Sequence, residues 1–131
     1  MILTSLTDNS TLTLPDDLLW VDEHAWTPAV ARIEYLLTGA LLVETAARAA
    51  GRPITLQAEP DMAWVTRATV SALYAWASVP SRQFALTFQD GRSFTVAFRH
   101  FETAIEAAPV LGFPASGDDD FYRITLRLME I

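Results

Sequence analysis

The sequence predicts an α+β protein, mainly an antiparallel β-sandwich or split barrel, with one α-helix packed against it. Residues 83–99 contain two runs of alternating apolar and polar residues joined by Asp90-Gly91, and such alternation indicates half-buried strands in a hairpin. Helical periodicity appears in one place, after Pro60. The chain has 131 residues, of which 51% are hydrophobic and 19% charged. It is therefore large enough for one domain with an apolar core.

The register of this hairpin follows from the need to place both apolar rows on one face. A two-residue Asp90-Gly91 turn would direct the two rows to opposite faces of the sheet. A three-residue loop at 89–91, with Gly91 in the left-handed conformation, places both rows on the same face. This loop pairs Phe84 with Val96 and Leu86 with Phe94. We therefore expect the three-residue loop.

Residues 1–28 are predicted to form a loop-rich N-terminal arm, followed by a single β domain over residues 29–131. Trp20 and Trp26 are the largest apolar residues of this arm. Two interpretations remain open. Either the tryptophans pack into the core of their own chain, or they anchor the arm on a neighbouring subunit, since tryptophan is enriched at interface hot spots. On the second interpretation, Trp20 and Trp26 belong to a subunit interface.

Three further strands are predicted before the helix. From Ala29 to Thr38 and from Ala40 to Arg48, apolar residues alternate with other residues, and Gly39 between the two segments is a turn or a bulge. The second segment is also rich in helix-forming residues, but its alternation favours a strand. A turn at residues 51–53 precedes the third strand, Ile54 to Gln57.

The helix is predicted over about residues 61–78, with Asp61 as its N-cap. One face carries an apolar stripe: Met62, Val65, Ala68, Thr69, Ala72, Leu73 and Trp76. The opposite side is also apolar: Ala63, Val70, Tyr74 and Ala77. A helix that is apolar on both sides is normally covered on both sides. The second cover is either a loop, such as the arm, or another subunit. We favour the subunit contact, with Val70 and Tyr74 in the interface.

The last part of the chain is predicted to be a link, an irregular stretch and a final strand. Residues 101–108 are interpreted as a link with a helical turn, and residues 112–114 as part of the irregular stretch. Residues 116–120 are predicted to form a polar loop. In the segment 121–131 one face is apolar, which predicts a strand: Tyr122, Ile124, Leu126 and Leu128.

Composition and charge exclude several classes of function. The net charge is −7 and all nine basic residues are arginine. A protein that clamps phosphates needs clustered basic residues, so specific nucleic-acid binding is not expected. There is no cysteine, which excludes disulfides and thiolate metal sites. The N-terminus lacks the pattern of a signal peptide, and no apolar run is long enough to span a bilayer, so no membrane partner is expected.

No residue pattern indicates catalysis or metal binding. Residues Asp118, Asp119 and Asp120 are consecutive and lack the ligand spacing of a calcium loop, so they are interpreted as a solvated turn. His24 and His100 are too few for a typical histidine-rich metal site. No motif of an activated nucleophile is present. The sequence therefore predicts a protein that is not an enzyme and that has no catalytic, cofactor-binding or metal-binding residues.

Several segments together resemble the small tail proteins of long-tailed bacteriophages. These are LTGALLVETAARAAGRPITL (37–56), the helix that carries Trp64, the hairpin LTFQDGRSFTVAFR (86–99), and Pro109-Val110 followed by FYRITLRLMEI (121–131). Their order resembles the tail-tube-like fold of distal tail proteins and baseplate hub proteins. The resemblance covers residues 29–131 and rests on the order of the elements. The segment PDDLLWVDEHAW (15–26) is similar to the N-terminal arms of these proteins.

This resemblance implies a structural role in the virion, after assembly in the cytoplasm of a bacterial host. Such proteins form rings, usually hexameric, that continue the tail tube or join it to the host-binding tip, with β-barrel walls around a channel for DNA. The implied partners are other copies of the chain and neighbouring tail-tube or baseplate proteins. The chain lacks the second, carbohydrate-binding-like domain of larger distal tail proteins, which favours an adaptor. A secretion or injection system that uses the same fold stays open as an alternative.

The alternative function is a small ligand-binding or carbohydrate-binding β module. In such a module Trp20, Trp26 or Tyr122 would be exposed and would provide stacking platforms for sugars.

Overall fold

The structure, a computed structural model, describes residues 1–110 and 117–131. Within these residues the fold is α+β, with antiparallel strands and one helix, as predicted. The elements are β1 (Ile2–Ser5), β2 (Thr11–Thr13), β3 (Leu19–Trp20), β4 (Ala29–Tyr35), β5 (Leu41–Ala47), β6 (Pro53–Gln57), β7 (Val65–Thr66), α1 (Arg67–Ala77), β8 (Phe84–Thr87), β9 (Ser93–Phe98), β10 (Ile105–Pro109) and β11 (Phe121–Glu130).

Nine of the described strands form one antiparallel sheet, the main sheet. Its path is β2-β1-β8-β9-β11-β6-β3, and β7 and β10 also pair with β11. The long strand β11 has the most partners in this sheet. It pairs with β6 and β7 along one edge and with β9 and β10 along the other. The path ends at β2 and β3, so the described strands do not close into a barrel.

The hydrophobic core lies on one face of the main sheet, beneath the helix. Alternate residues of the strands point into it, as the two-residue period of a strand requires. The fully buried apolar residues of the strands are Leu3, Ile54, Leu56, Phe84, Leu86, Val96, Ile124, Leu126 and Leu128. From the helix, Leu73 and Trp76 are buried, and the ring of Trp76 stacks on that of Phe84 with their centroids 5.1 Å apart.

The β8–β9 hairpin has the predicted loop and register. The paired residues are Phe84 with Val96 and Leu86 with Phe94. The N–H group of Phe88 donates to the carbonyl oxygen of Arg92 at 2.8 Å, which closes a three-residue loop. Gly91 has a φ of 92°, a conformation that glycine adopts without steric cost. The prediction from the two apolar rows is therefore confirmed.

The predicted N-terminal arm instead contributes three short strands to the main sheet. β1 lies between β2 and β8, and β3 pairs with β6 at the opposite end of the sheet. Leu3, Leu14, Leu18 and Trp20 are buried. The sequence did not indicate β1 and β3, because they are short and pair with β8 and β6, which lie far along the chain. A boundary at residue 28 therefore does not separate an arm from a domain.

The helix is shorter than predicted, Arg67–Ala77 instead of about 61–78. It begins later because β7, immediately before it, pairs with β11. Thr66, and not Asp61, is the N-cap, and its side chain accepts a hydrogen bond from the N–H group of Thr69 at 3.4 Å. Pairing with a distant strand thus overrides the helical pattern of the preceding residues.

The segment before the last strand also differs from its prediction. The link with a helical turn expected at 101–108 contains β10, which pairs with β11 from Ile105 to Pro109. The Glu-Ala-Ala sequence of β10 favours a helix locally. Pairing with the neighbouring strand β11 overrides this preference and makes the segment a strand. The final strand is confirmed as β11. Residues 112–114, predicted to be irregular, lie outside the described residues.

Candidate functional site

Strands β4 and β5 form a two-stranded hairpin of their own, apart from the main sheet. The strands predicted for this segment are confirmed, and the alternative helix is not formed. The loop repeats that of the β8–β9 hairpin, because the N–H group of Leu36 donates to the carbonyl oxygen of Ala40 at 2.8 Å and Gly39 has a φ of 82°. At the base of the hairpin, the end opposite its loop, the N–H group of Arg48 donates to the carbonyl oxygen of Pro28 at 2.7 Å.

The two faces of the β4–β5 hairpin differ in charge. Residues directly opposite each other on antiparallel strands share a face, so the register assigns each side chain to one side. One face has no charged residue, and we call it the hairpin apolar face: Ala29 with Ala47, Ala31 with Thr45, Ile33 with Val43, and Tyr35 with Leu41. The other face carries Arg32, Glu34 and Glu44, with Arg32 opposite Glu44.

The hairpin apolar face is exposed to solvent. Tyr35 is 73% exposed and Ile33 is 62% exposed, and no residue of β4 or β5 is buried. Leu36, at the start of the loop, and Leu37, within the loop, are exposed as well. A two-stranded hairpin on its own is at best marginally stable in water. Within the described residues the chain leaves this apolar face uncovered, so the face is a candidate contact surface.

Arginine and tryptophan side chains connect the base of this hairpin to the main sheet. The guanidinium group of Arg48 lies 5.5 Å from the ring centre of Trp26. That of Arg52 lies 6.0 Å from Trp26 and 4.6 Å from Trp20, and cations over aromatic rings are attracted by the ring quadrupole. Nη2 of Arg52 also donates to the carbonyl oxygen of Glu23 at 2.9 Å. The base of the β4–β5 hairpin therefore contacts the main sheet through these arginine and tryptophan side chains.

Trp20 is not available for the interface predicted for it, whereas an interface role for Trp26 stays a prediction. Trp20 is 7% exposed, stacks on Phe88 with ring centroids 5.2 Å apart and meets Phe94 edge-on at 5.6 Å. It reaches the core because β3 pairs with β6. Trp26 is half-buried and packs beside Arg48 at the hairpin base. For Trp20 the structure supports the interpretation that it packs within its own chain.

Val70 and Tyr74, the other two predicted interface residues, lie on different sides of α1. Val70 is 6% exposed and faces the core, so it is not available to another subunit. The sequence could not indicate this direction, because both sides of the helix are apolar. Tyr74 is 48% exposed, and its hydroxyl donates to the carbonyl oxygen of Ile105 at 3.2 Å. A role for Tyr74 in a subunit contact stays a prediction.

Of the three stacking platforms proposed for a carbohydrate-binding module, one is buried and two are half-buried. Trp20 is buried and Trp26 packs beside Arg48. Tyr122 is half-buried, and its hydroxyl accepts a hydrogen bond from Nη1 of Arg67 at 3.1 Å. No observation on these residues favours sugar binding.

The main sheet presents a second uncharged surface, on the face away from the core. In β2, β1, β8 and β9 the residues between the buried ones are short and uncharged. We call this surface the threonine face: Thr4, Thr11, Thr13, Thr87, Ser93 and Thr95, with Ile2 and Ala85 among them. These residues are exposed or half-buried, and Oγ1 of Thr87 lies 3.5 Å from Oγ of Ser93. This surface was not predicted from the sequence, although strand alternation also specifies which residues face away from the core.

A charged cluster closes the end of the β8–β9 hairpin. The backbone N–H group of Arg92 donates to Asp90 Oδ1 at 3.1 Å, its Nε donates to Asp90 Oδ2 at 2.7 Å, and its Nη1 donates to Glu23 Oε1 at 2.7 Å. The backbone hydrogen bond from Arg92, followed by the side-chain hydrogen bond and charge of that residue, lowers the pKa of Asp90 below its usual value. Hydrogen bonds to Glu23 and Asp90 raise the pKa of Arg92. The cluster links the loop to the N-terminal segment and needs no further partner.

An open groove of about 440 Å³ lies between the end of β6 and strands β10 and β11. Its polar lining includes Gln57, Glu59, Glu106 and Arg123. Within residues 1–110 and 117–131, no three His, Cys, Asp or Glu side chains are grouped so that they would hold a metal ion. Among these same residues, no helix has the length and apolar character needed to cross a membrane. The groove does not by itself indicate a reaction.

No protein-family model, no curated protein and no solved structure matches this chain. The hairpin apolar face is the feature that most needs a functional explanation, because exposed apolar surface of this extent is costly in water.

Proposed function

We propose that this protein is a structural subunit of a phage tail, a ring-forming distal tail or baseplate adaptor protein around the DNA channel, without catalytic activity. The hairpin apolar face carries this proposal. It is a row of exposed apolar side chains on a hairpin that projects from a well-packed sheet. Contact with another protein surface would remove these side chains from water, which is the main driving force of protein association.

The gain from covering this face is large enough to favour assembly. Ile33, Tyr35, Leu41 and Val43 are each more than half exposed. Full burial of such a side chain contributes about 1.5–3 kcal/mol, so covering the exposed part contributes roughly 1 kcal/mol or more for each. Association has its own cost, but in a ring every subunit makes contact with two neighbours, so the gain applies at each junction.

The open main sheet supports the same proposal. Among residues 1–110 and 117–131 its path ends at β2 and β3, and an unpaired strand edge is a site where another chain can pair. Subunits arranged side by side in a ring would cover these edges and continue the sheet around a channel. That arrangement is the one implied by the resemblance to tail-tube-like proteins.

The charge of the chain is compatible with a DNA channel. Its net charge is −7, and acidic surfaces repel the phosphate backbone. A channel built from such subunits would let DNA pass without holding it.

Light scattering after size-exclusion chromatography and electron microscopy of the purified protein test this proposal. We expect a discrete oligomer with ring-shaped particles, usually hexameric in such proteins, at high concentration or together with neighbouring tail proteins. Ile33→Asp combined with Val43→Asp is expected to abolish assembly, because carboxylates buried without partners are costly. Arg32→Gln combined with Glu44→Gln, on the opposite face, is the matched control. A strict monomer at high concentration that also binds no neighbouring tail protein would contradict the proposal.

A further inference from the structure

We infer that two copies of this chain pair through the outer edges of their β4 strands, antiparallel, with Ile33 of one copy opposite Ile33 of the other. This contact uses the edge of the β4–β5 hairpin and leaves the hairpin apolar face free. It therefore goes beyond the proposed function and does not depend on the ring. The backbone groups and the charges of β4 identify a second copy as its partner.

The outer edge of β4 is open to a further strand. In the parts of the chain that the structure describes, β4 pairs with β5 and with no other strand, and every residue from 31 to 50 is exposed. An unpaired strand edge presents N–H and C=O groups that can pair with another chain. The sequence of β4 contains neither proline nor glycine, so no residue of the strand blocks such pairing.

The hydrogen bonds at the two ends of the hairpin show which backbone groups of β4 face outward. The N–H group of Leu36 donates to the carbonyl oxygen of Ala40, and that of Arg48 donates to the carbonyl oxygen of Pro28. Hydrogen-bonded and non-hydrogen-bonded pairs alternate along an antiparallel ladder, so the even-numbered residues of β4 bond to β5. The odd-numbered residues therefore direct their N–H and C=O groups to the outer edge.

The open part of this edge is centred on Ile33. The carbonyl oxygen of Ala29 accepts a hydrogen bond from Oγ1 of Thr27 at 3.0 Å, which leaves Ala31, Ile33 and Tyr35 to present outward groups. In antiparallel pairing about Ile33, this residue bonds to Ile33 of the second copy, and Ala31 bonds to Tyr35 on either side. All of these outward groups then have partners.

Charge favours the same register. Arg32 and Glu34 are the only charged residues of β4. With Ile33 at the centre, Arg32 of each copy lies directly opposite Glu34 of the other, which gives two pairs of opposite charge. The next register in one direction places Arg32 opposite Arg32, and the next in the other direction places Glu34 opposite Glu34. Opposite charges across two strands are stabilising and like charges are destabilising.

Arg32 and Glu34 are available for these pairs. Neither forms an ion pair within residues 1–110 and 117–131, although Glu44 lies directly opposite Arg32 in the hairpin. Arg32 and Glu44 are a hydrogen-bonded pair of residues. Arg32 and Glu34 of the second copy would be a non-hydrogen-bonded pair, in which the side chains are closer.

The other described strands do not offer the same complementarity. Only β11 also carries both acidic and basic residues, and both of its edges are already paired. β5 is as long as β4 but has Glu44 as its only charged residue. Pairing of β4 with β5 of a second copy would oppose Arg32 and Glu44, which gives one pair of opposite charges at each junction instead of two. The charges therefore favour β4 against β4.

This pairing would extend the hairpin from two strands to four. A two-stranded hairpin is at best marginally stable in water, and three or more strands are needed for independent stability. The contact is two-fold, so each copy makes it once and the assembly does not grow further through this edge. It joins single subunits into pairs, or two rings into a double ring.

Charge reversal tests the pairing, because Arg32 and Glu34 must complement each other between copies. Arg32→Glu and Glu34→Arg each place like charges opposite one another. Each is expected to halve the mass that light scattering measures for the natural protein, with self-association weaker by about tenfold or more. An equimolar mixture of the two variants restores opposite charges and is expected to regain the natural mass. A chain that carries both substitutions is expected to regain it alone.

Glu44→Gln is the matched control, because it removes a charge from the same face of the hairpin without changing β4. It is expected to keep the mass of the natural protein. All three positions are exposed, so circular dichroism and the melting temperature of each variant are expected to stay close to those of the natural protein. Loss of pairing in Glu44→Gln would assign β4 to β5 of the second copy and overturn the inference.

The remaining outcomes separate this pairing from the proposed ring. An unchanged mass in the single variants, or no recovery in the mixture and in the doubly substituted chain, would overturn the inference. Rings whose mass no charge reversal alters would reject the pairing and leave the proposed function standing. Charge-dependent pairs without rings would support the pairing and contradict the proposed function, and a monomer in every assay would reject both.

Proline substitutions at the two edges of the hairpin give an independent measurement. Ala31→Pro removes an outward N–H group of β4 and keeps the hydrogen bonds to β5, so it is expected to abolish the pairing. Thr45→Pro, directly across the hairpin from Ala31, removes an outward N–H group of β5 and is expected to pair as the natural protein does. Pairing that persists in Ala31→Pro would overturn the inference.

Discussion

The indole ring of Trp20 stacks on the phenyl ring of Phe88, with centroids 5.2 Å apart and planes inclined by only 6°. Trp20 belongs to β3, near the start of the chain, and Phe88 begins the loop of the β8–β9 hairpin. Phe94 meets the same indole edge-on, and the guanidinium group of Arg52 lies 4.6 Å from its centre. This contact makes the N-terminal segment part of the core and places the base of the projecting hairpin beside it.

Replacement of Trp20 by alanine is expected to destabilise the fold severely. The residue is buried among aromatic rings, and truncation of a buried tryptophan costs about 3–5 kcal/mol. Trp26→Ala, on a half-buried residue, is expected to cost about 1 kcal/mol. Urea unfolding followed by circular dichroism measures both, and equal losses would contradict the assignment of Trp20 alone to the core.

Gly91→Val is expected to destabilise the β8–β9 hairpin. No atom lies within 4 Å of the position that a Cβ would occupy, so the cost comes from the φ of 92° alone. A β-branched residue held in such a conformation costs about 1–3 kcal/mol. Ser93→Val, an exposed strand position in the same hairpin, is the matched control. An unchanged melting temperature for Gly91→Val would contradict the left-handed loop.

Glutamate at Val70 and glutamate at Tyr74 are expected to have opposite consequences. Val70→Glu places a carboxylate in the core and is expected to cost more than about 3 kcal/mol. Tyr74→Glu alters an exposed side chain and loses one hydrogen bond to the Ile105 carbonyl, at a cost of about 1 kcal/mol. Thermal unfolding distinguishes the two variants. Equal stability would mean that Val70 faces outward, as the sequence analysis predicted.

The contribution of Asp90 to stability is expected to depend on pH. Its pKa in the folded state is lowered, first by the backbone hydrogen bond from Arg92. Its contribution is therefore present above the unfolded value of about 3.9 and is lost as the pH falls through the lower folded value. Asp90→Asn is expected to be less stable than the natural protein at neutral pH, with a difference that shrinks below about pH 4. Urea unfolding at a series of pH values measures this difference, and a constant difference would contradict it.

Local pattern was sufficient for much of the fold. Alternation in residues 83–99 was enough to predict the β8–β9 register and its three-residue loop, because a shift of one residue would have turned an apolar row to solvent. The same alternation correctly favoured strands over a helix at β4 and β5. The short strands β1 and β3 were not predicted, because each pairs with a strand far along the chain. Strand β10 was not predicted because its own Glu-Ala-Ala sequence favours a helix.

The candidate site was predicted only in part. Strand alternation placed Ile33 and Tyr35 on one side of β4 and Arg32 and Glu34 on the other, which is the basis of the hairpin apolar face. Of the four residues predicted to form a subunit interface, Trp20 and Val70 are instead buried within the chain. Trp20 and Val70 were predicted to lie in an interface because they are apolar. Apolar residues occur in the core of a protein as well as in its interfaces, so this property does not distinguish the two locations.

The sequence by itself determined the period of the long strands, the loop at Gly91, and the uncharged character of one side of the β4–β5 hairpin. These properties depend on neighbours within a few residues. Only the tertiary structure decided which side of α1 is buried, that Trp20 lies in the core, and that β4 and β5 stand apart from the main sheet. Such choices depend on which distant segment covers an apolar surface, and the free energy of burial is the same whichever segment supplies the cover.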